Sequence, residues 1–352
     1  KEKISLSGHF DADSIDELLE ADGVLSFKFD ALSLYAFSPW IDYPLTIKDG
    51  TGSLSINIEF ENGKLKEGGS SFSVQNLNAN TIDNAKQGLV FKDISGEFEY
   101  KLVNDDINII LDNLFLTTNS KLQFEDSAAS IKYNFETNQI NKATLVVDRF
   151  DLGSVQEISN QFLPEEHRVN VIINELQARG EIDDLKLKWD RTRDGEEPKL
   201  KLKANFLELE INEFESIPGL KNITGEVNIE NEKGIIRSVS RDVKITKEDV
   251  FRAPLELNQF SGSVNWDNQK YSFNEVTVKD DYMETIFNGT VKYESLDNLY
   301  VDINIDSPTL NIPNFKVYYP KQIGKDGLGW LDTSLLEGTA ENTNIQMKGK
   351  VK

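Results

Sequence analysis

Residues 53–60 read Ser-Leu-Ser-Ile-Asn-Ile-Glu-Phe, so that polar and apolar side chains alternate without a break. Successive side chains of a β-strand point to opposite faces of the sheet, and this run therefore predicts a strand with one apolar face. The same alternation recurs at 97–102, 131–136, 199–206 and 301–305. A chain that repeats this pattern along most of its length is predicted to be mainly β.

Short polar turns separate the alternating runs, for example at Asn62-Gly63, Asn104-Asp105 and 267–269. Turns of this length join antiparallel neighbours, whereas parallel strands need longer crossovers that are usually helical. The sequence therefore predicts a long antiparallel meander.

Only a few short helices are predicted. A Ser-x-x-Glu capping box opens the segments 14–19 and 154–158. A third helix is expected at 328–336, with Trp330, Leu331 and Leu335 on one face. Helices of two or three turns are too short to cover the apolar face of an extended sheet.

A motif of the form apolar-x-Gly-x-apolar-x-apolar surrounds Gly96, Gly225, Gly262 and Gly289. A glycine inside a strand suggests a bulge that bends the sheet. The copies are irregularly spaced, which argues against a strict solenoid. We expect 1–352 to be one continuous elongated segment of a longer protein, with approximate units at 1–87, 88–174 and 175–352.

Composition limits the possible functions. Of the 352 residues, 38 are Lys or Arg and 60 are Asp or Glu, which gives a net charge of −22. A chain this acidic repels a polyphosphate, so no nucleic-acid partner is expected. There is no cysteine, and the two histidines, His9 and His167, are far apart in sequence. We therefore expect no enzymatic activity, no cofactor and no metal.

The apolar face of such a sheet must be hidden from water. About twenty strands at about 4.8 Å spacing would form a sheet on the order of 95 Å long. Two arrangements fit the residues: tandem β-sandwiches, whose sheets cover each other, or a sheet curled into an extended hydrophobic groove that a lipid fills. The residues alone leave both open.

Motifs in the second half of the chain resemble the YhdP branch of the AsmA-like proteins. They stand in the order that this family shows: Leu176, Gly180 and Asp184-Leu185; Ala204-Asn205-Phe206; Ile217-Pro218-Gly219-Leu220; Ala253-Pro254-Leu255; Tyr318-Tyr319-Pro320; Gly329-Trp330-Leu331; Ser334-Leu335-Leu336 and Gly338.

The resemblance implies a bacterial bridge-like lipid transfer protein without enzymatic activity. It would lie in the periplasm, anchored in the inner membrane by a helix absent from this segment. Its hydrophobic groove would carry phospholipid between the inner and outer membranes, which it would meet through parts outside this segment. The alternative from another class is a structural or adhesive tandem β-sandwich module of the cell envelope.

If the groove is correct, apolar side chains of the alternating runs line it and contact phospholipid acyl chains. In a sandwich, the same side chains would form an ordinary core. The predicted groove-lining residues are Leu54, Ile56, Ile58, Phe98, Tyr100, Ile109, Leu111, Ile131, Tyr133, Phe135, Val227, Ile229, Val264, Trp266 and Phe273.

Overall fold

A computed structural model of the chain describes residues 3–14, 17, 20–37, 45–81, 84–118, 123–162, 166–191, 198–215, 217–295, 298–319, 321 and 325–351. These residues contain seventeen β-strands and three α-helices. The predicted class, mainly β with a few short helices, is confirmed. Most of the predicted helix at 14–19 lies outside the described residues.

The chain divides into two compact units. Unit 1 comprises Lys1–Asn170 and Asp183–Lys201, and unit 2 comprises Val171–Ile182 and Leu202–Lys352. The division into 1–87, 88–174 and 175–352 stays a prediction.

Strands β1 to β8 and helix α1 belong to unit 1. Their bounds are Lys3–Asp11 (β1), Asp22–Ser33 (β2), Leu45–Glu61 (β3), Lys64–Thr81 (β4), Asn84–Val103 (β5), Asp106–Thr118 (β6), Gln123–Asn134 (β7), Gln139–Asp151 (β8) and Gly153–Phe162 (α1). Each strand from β1 to β7 pairs antiparallel with the next strand in sequence. Unit 1 is therefore built on an antiparallel meander, as predicted.

Three elements contribute residues to both units: α2 (Arg168–Leu176), β9 (Arg179–Asp190) and β10 (Lys199–Ile211). The remaining elements belong to unit 2. They are Gly219–Glu230 (β11), Lys233–Thr246 (β12), Leu255–Asp267 (β13), Lys270–Lys279 (β14), Met283–Ser295 (β15), Asn298–Asn311 (β16), Lys325–Ser334 (α3) and Thr339–Val351 (β17). Strands β11 to β17 again pair antiparallel in sequence order.

In each unit the connections at the two ends of the strands differ. We call one end the turn edge, because most of its described connections are tight turns, such as Asn62-Gly63 in unit 1 and Asn268-Gln269 in unit 2. Asn62 and Gly63 both have positive φ, at 51° and 68°, as a type I′ hairpin turn requires. We call the other end the helix edge, because α1 follows β8 there in unit 1 and α3 follows β16 there in unit 2.

Bulges interrupt the strands between these edges. The β5–β6 register shifts between Ser95 and Glu97, at the predicted bulge of Gly96. The β13–β14 register shifts at Gly262, whose φ of 140° favours glycine. Bulges bend a strand and increase its twist. Two of the glycine motifs therefore mark bends in the strands, as predicted.

Helix α1 packs at the helix edge of unit 1. Among the described residues it contacts β4 and β5, which are distant from it in sequence, and β8, which directly precedes it.

Two predictions about the helices need correction. Helix α1 begins at Gly153, and Asp151 caps it, because the Ser154 amide donates a hydrogen bond to Asp151 Oδ1 (3.2 Å). The predicted cap was Ser154 itself. Trp330 in α3 is 63% exposed, whereas Leu331 in α3 and Leu335 just after it are half-buried, so these three residues do not share one buried face.

Candidate apolar binding face

The predicted residues of unit 1 come together on one face of its sheet. Residues directly opposite each other on paired strands have side chains on the same face. Two cross-strand rows follow from the register. The first row contains Leu25, Ile58, Gly68, Tyr100, Ile109 and Ile131, and the second contains Phe27, Ile56, Ser70, Phe98, Leu111 and Ala129.

The other predicted residues of unit 1 extend this face. Leu54 lies opposite Phe29 and Phe72, one row further towards the helix edge. Tyr133 lies opposite Ile107 on β6. The ring of Phe135, just after β7, packs edge-on against Tyr133 at 5.3 Å between centroids. The alternation in the sequence thus predicted the face of those side chains that lie within strands.

Unit 2 repeats the arrangement. Its two rows run across β11 to β17. The first contains Val227, Ile236, Val264, Phe273, Gly289, Ile303 and Met347, and the second contains Ile229, Gly234, Trp266, Tyr271, Val291, Val301 and Gly349. All five predicted residues of this unit lie in these two rows.

Sequence reasoning missed several members of the rows. Ile236 is flanked by residues that blur the alternation, whereas Tyr271 and Ile303 stand in clear alternating runs and could have been found. Met347 lies in a run of mostly polar residues, and only its register opposite Ile303 places it on the apolar face.

The opposite face of each sheet is polar and joined by ion pairs. Lys101 Nζ lies 2.6 Å from Glu67 Oε2 in unit 1, and this carboxylate raises the pKa of Lys101. In unit 2, Arg237 Nη1 lies 2.6 Å from Glu226 Oε1, and Lys348 Nζ lies 2.7 Å from Asp302 Oδ2. Water can therefore solvate this face, while the apolar face needs another partner.

Only part of the apolar face is buried by protein. At the helix edge of unit 1, Ile47, Leu77, Ala79 and Phe91 form a buried cluster. The corresponding cluster of unit 2 contains Phe206, Ile223, Val243, Leu255 and Leu257. Loops and helices at this edge can cover these clusters; Phe251 and Tyr318, for example, pack on the cluster of unit 2.

The rows near the turn edge are less buried. Thirteen of the fifteen predicted residues are half-buried, and Ile131 and Phe135 are 38% and 54% exposed. Met347 of the unit 2 rows is 44% exposed. A sandwich core would bury these side chains against a second sheet. Each unit instead has one meander whose apolar face is open near the turn edge, which argues against the sandwich alternative.

In the part of the chain that the structure describes, few side chains near this face are of the kinds that catalyse reactions or bind metal ions. His9 and His167 are both exposed. Among the described residues, no group of three or more His, Asp or Glu side chains is arranged to hold a metal ion. Burial raises the pKa of the Tyr100 phenol, a group whose ordinary pKa already leaves it uncharged at neutral pH. The arrangement can therefore bind apolar molecules by burying them.

No described helix has the length and apolar character that a membrane span requires.

The fold and the face together define a class: an antiparallel β-sheet protein with an apolar face that continues from strand to strand in each unit. The chain belongs to the YhdP protein family, whose model matches residues 2–352. It is also similar to the intermembrane phospholipid transporter YhdP of Escherichia coli (strain K12), with 23% identity over 158 residues. That match covers 43% of this chain and 12% of the relative's length. No solved structure matches the chain.

Proposed function

We propose that this chain is part of a bridge-like protein that transfers phospholipid between the inner and outer membranes of a bacterial cell. The observation that carries the proposal is the apolar face, which continues from strand to strand in each unit and is open near the turn edge. Continuous exposed apolar surface on a folded protein usually marks a binding site. Membership of the YhdP family and the name of the Escherichia coli relative support phospholipid as the ligand.

The physical basis is burial of acyl chains. Each methylene removed from water contributes about 0.8 kcal/mol, so an acyl chain of about fifteen carbons gains on the order of 12 kcal/mol. The rows offer the chain a surface of Ile, Val, Leu and aromatic groups. The charged headgroup would stay in water at the open side. The proposed activity is binding and transfer, with no chemical step.

The proposed location is the periplasm, with an anchor in the inner membrane and contacts to both membranes through parts outside this segment. The name of the relative, an intermembrane transporter, supports this location. The structural or adhesive alternative shares the envelope location but needs no open apolar face.

Purification without detergent tests the proposal directly. The chain is produced in a bacterial periplasm, extracted with organic solvent, and its phospholipid is quantified by mass spectrometry. We expect several phospholipids per chain. A well-folded protein that carries none would reject lipid transfer and favour a structural role.

A matched pair of variants then locates the binding surface. Ile229→Asp places a carboxylate in the second row of unit 2, where an acyl chain would have to desolvate it. Asn228→Asp adds the same charge at the neighbouring position of β11, on the polar face. We expect Ile229→Asp to lower bound phospholipid at least twofold and Asn228→Asp to leave it unchanged, with circular dichroism spectra like that of the wild type. Normal lipid content in a folded Ile229→Asp protein would remove this strand from the binding surface.

A further inference from the structure

Two aromatic rings of the apolar face lie directly on glycines of the neighbouring strand. Trp266 is the register partner of Gly234. A Cβ atom added to Gly234 would lie 2.2 Å from Cζ2 and 2.4 Å from Cη2 of this indole. Real Cβ atoms essentially never come this close to another heavy atom, so the ring occupies the volume of the missing side chain.

Unit 1 contains the same arrangement. Tyr100 is the register partner of Gly68, and a Cβ on Gly68 would lie 2.8 Å from both Cε1 and the hydroxyl oxygen of this ring, although the backbone carbonyl oxygen of Asn57 would be closer still, at 2.5 Å. Phe72 lies over Gly96 at a longer distance, with a nearest contact of 3.1 Å. The pairing of a ring with a directly opposite glycine therefore recurs on the apolar face of both units.

The arrangement determines how far a ring projects from the sheet. Side chains normally stand roughly perpendicular to the sheet surface. A ring that fills the space over a glycine must instead lean across the neighbouring strand, close to the backbone. Trp266 and Tyr100 are therefore expected to project less from the sheet than rings that stand upright on it.

We propose that Gly234 and Gly68 are specificity-determining residues of the lipid-binding face: they hold Trp266 and Tyr100 flat, and the resulting depth admits the acyl chains of a phospholipid. This inference rests on the proposed function. The inference goes further than that function because it assigns the depth of the apolar face to two glycines that contact lipid little or not at all.

Gly234→Ala is the sharpest test. The three atoms nearest to its new Cβ all belong to the Trp266 ring, and Gly234 is not among the residues with positive φ. The backbone therefore tolerates alanine, and the indole must tilt away from the sheet. We expect phospholipid per chain, measured by mass spectrometry, to fall at least twofold, together with a shift in tryptophan fluorescence emission.

The matched control is Gly69→Ala. Gly69 is adjacent to Gly68 in β4 but faces the polar side, and the nearest atoms to its new Cβ are 3.7 and 3.8 Å away, an ordinary van der Waals distance. We expect its lipid content to equal that of the wild type. The double variant Gly234→Ala/Trp266→Ala removes the displaced ring and should restore most of the bound phospholipid. A role of Gly234 in stability alone predicts no such recovery.

Val291→Trp provides a second route if Gly234→Ala does not fold. Val291 lies in the same row, opposite Tyr271 and Val301. A ring introduced there has no glycine to lie on and must project into the face, so lipid content should again fall at least twofold.

The outcomes separate the two proposals. A wild-type protein without phospholipid rejects the proposed function. The second outcome is a wild-type protein that binds phospholipid and folded Gly234→Ala and Val291→Trp proteins that bind as much of it. This result rejects the proposal that the glycines set the depth of the face, but it is consistent with lipid binding. Failure of the double variant to recover lipid would also overturn the assignment.

Discussion

In unit 2, removal of the same number of side-chain carbons should lower the free energy of unfolding by different amounts in the two halves of the apolar face. Leu257, near the helix edge, is 2% exposed and lies in the buried cluster. Ile236, near the turn edge, is 38% exposed on the same face. Substitution of either residue by alanine removes three carbon atoms. The pair therefore compares a site covered by protein with one that we propose lipid covers.

The expected magnitudes follow from burial. Leucine-to-alanine substitutions in buried cores cost about 3 kcal/mol or more, because a cavity remains where the side chain was. For Ile236→Ala in lipid-free protein, three carbons at about 0.8 kcal/mol each, about three-fifths buried, give roughly 1.5 kcal/mol. No cavity cost is added there, because the vacated space opens to solvent.

Urea unfolding followed by circular dichroism measures both variants, first after the lipid is stripped in denaturant and then after reloading with phospholipid. We expect the cost of Leu257→Ala to be nearly the same in the two states. The cost of Ile236→Ala should rise with lipid bound, since the acyl chain then covers the site. Equal costs for the two variants in lipid-free protein, or a cost of Ile236→Ala that does not change with lipid, would refute an open, lipid-covered face.

Two further predictions concern the groups that fasten the helix edge of unit 2. Tyr318 donates a hydrogen bond to Asp280, and its pKa is raised, first by burial and second by this carboxylate. The stability that this interaction contributes is present below about pH 10 and is lost as pH rises. In urea titrations, Tyr318→Phe should therefore lower the free energy of unfolding by about 1.5 kcal/mol at neutral pH and reduce the loss of stability at alkaline pH. The Lys247 ammonium lies 2.9 Å from the Glu213 carboxylate and lowers the pKa of Glu213. This ion pair stabilises the fold above about pH 4, and its contribution is lost as pH falls and Glu213 is protonated. The Glu213→Gln protein should therefore lose less stability than the wild type between about pH 5 and pH 3.

Most of the fold could be predicted from the alternation of polar and apolar residues. It placed Ile56, Phe98 and Ile109 on one face because side chains in a strand alternate with a period of two, whatever the neighbouring strands are. The tight turns then made consecutive strands antiparallel neighbours. Register could not be predicted in the same way, because bulges such as the one at Gly96 shift it by one residue.

The division of the apolar face into a covered and an open half was not predictable from the alternation. Val243 and Ile236 both lie on β12 and are similar apolar side chains, yet the first is 1% exposed and the second 38%. What separates them is tertiary structure: the loop that contains Phe251 and the 3-10 helix at Asn314–Tyr318 pack over the helix edge. Such coverage depends on contacts distant in sequence, which a local pattern does not contain.

The open half also has a property that transfer requires. A ligand that moves along a row passes from one strand to the next, and each strand presents one side chain per row at a spacing of about 4.8 Å. If the residues projected to very different heights, the ligand would rest in the deep positions and stop at the tall ones. In the second row of unit 2, Gly234 precedes Trp266, and the ring fills the gap over the glycine instead of projecting beyond its neighbours. The residue without a side chain and the residue with the largest one thus compensate each other, which keeps the height of the row even between β12 and β13. An acyl chain that is bound by burial and meets similar surface at each strand can move without losing most of its binding free energy at any step.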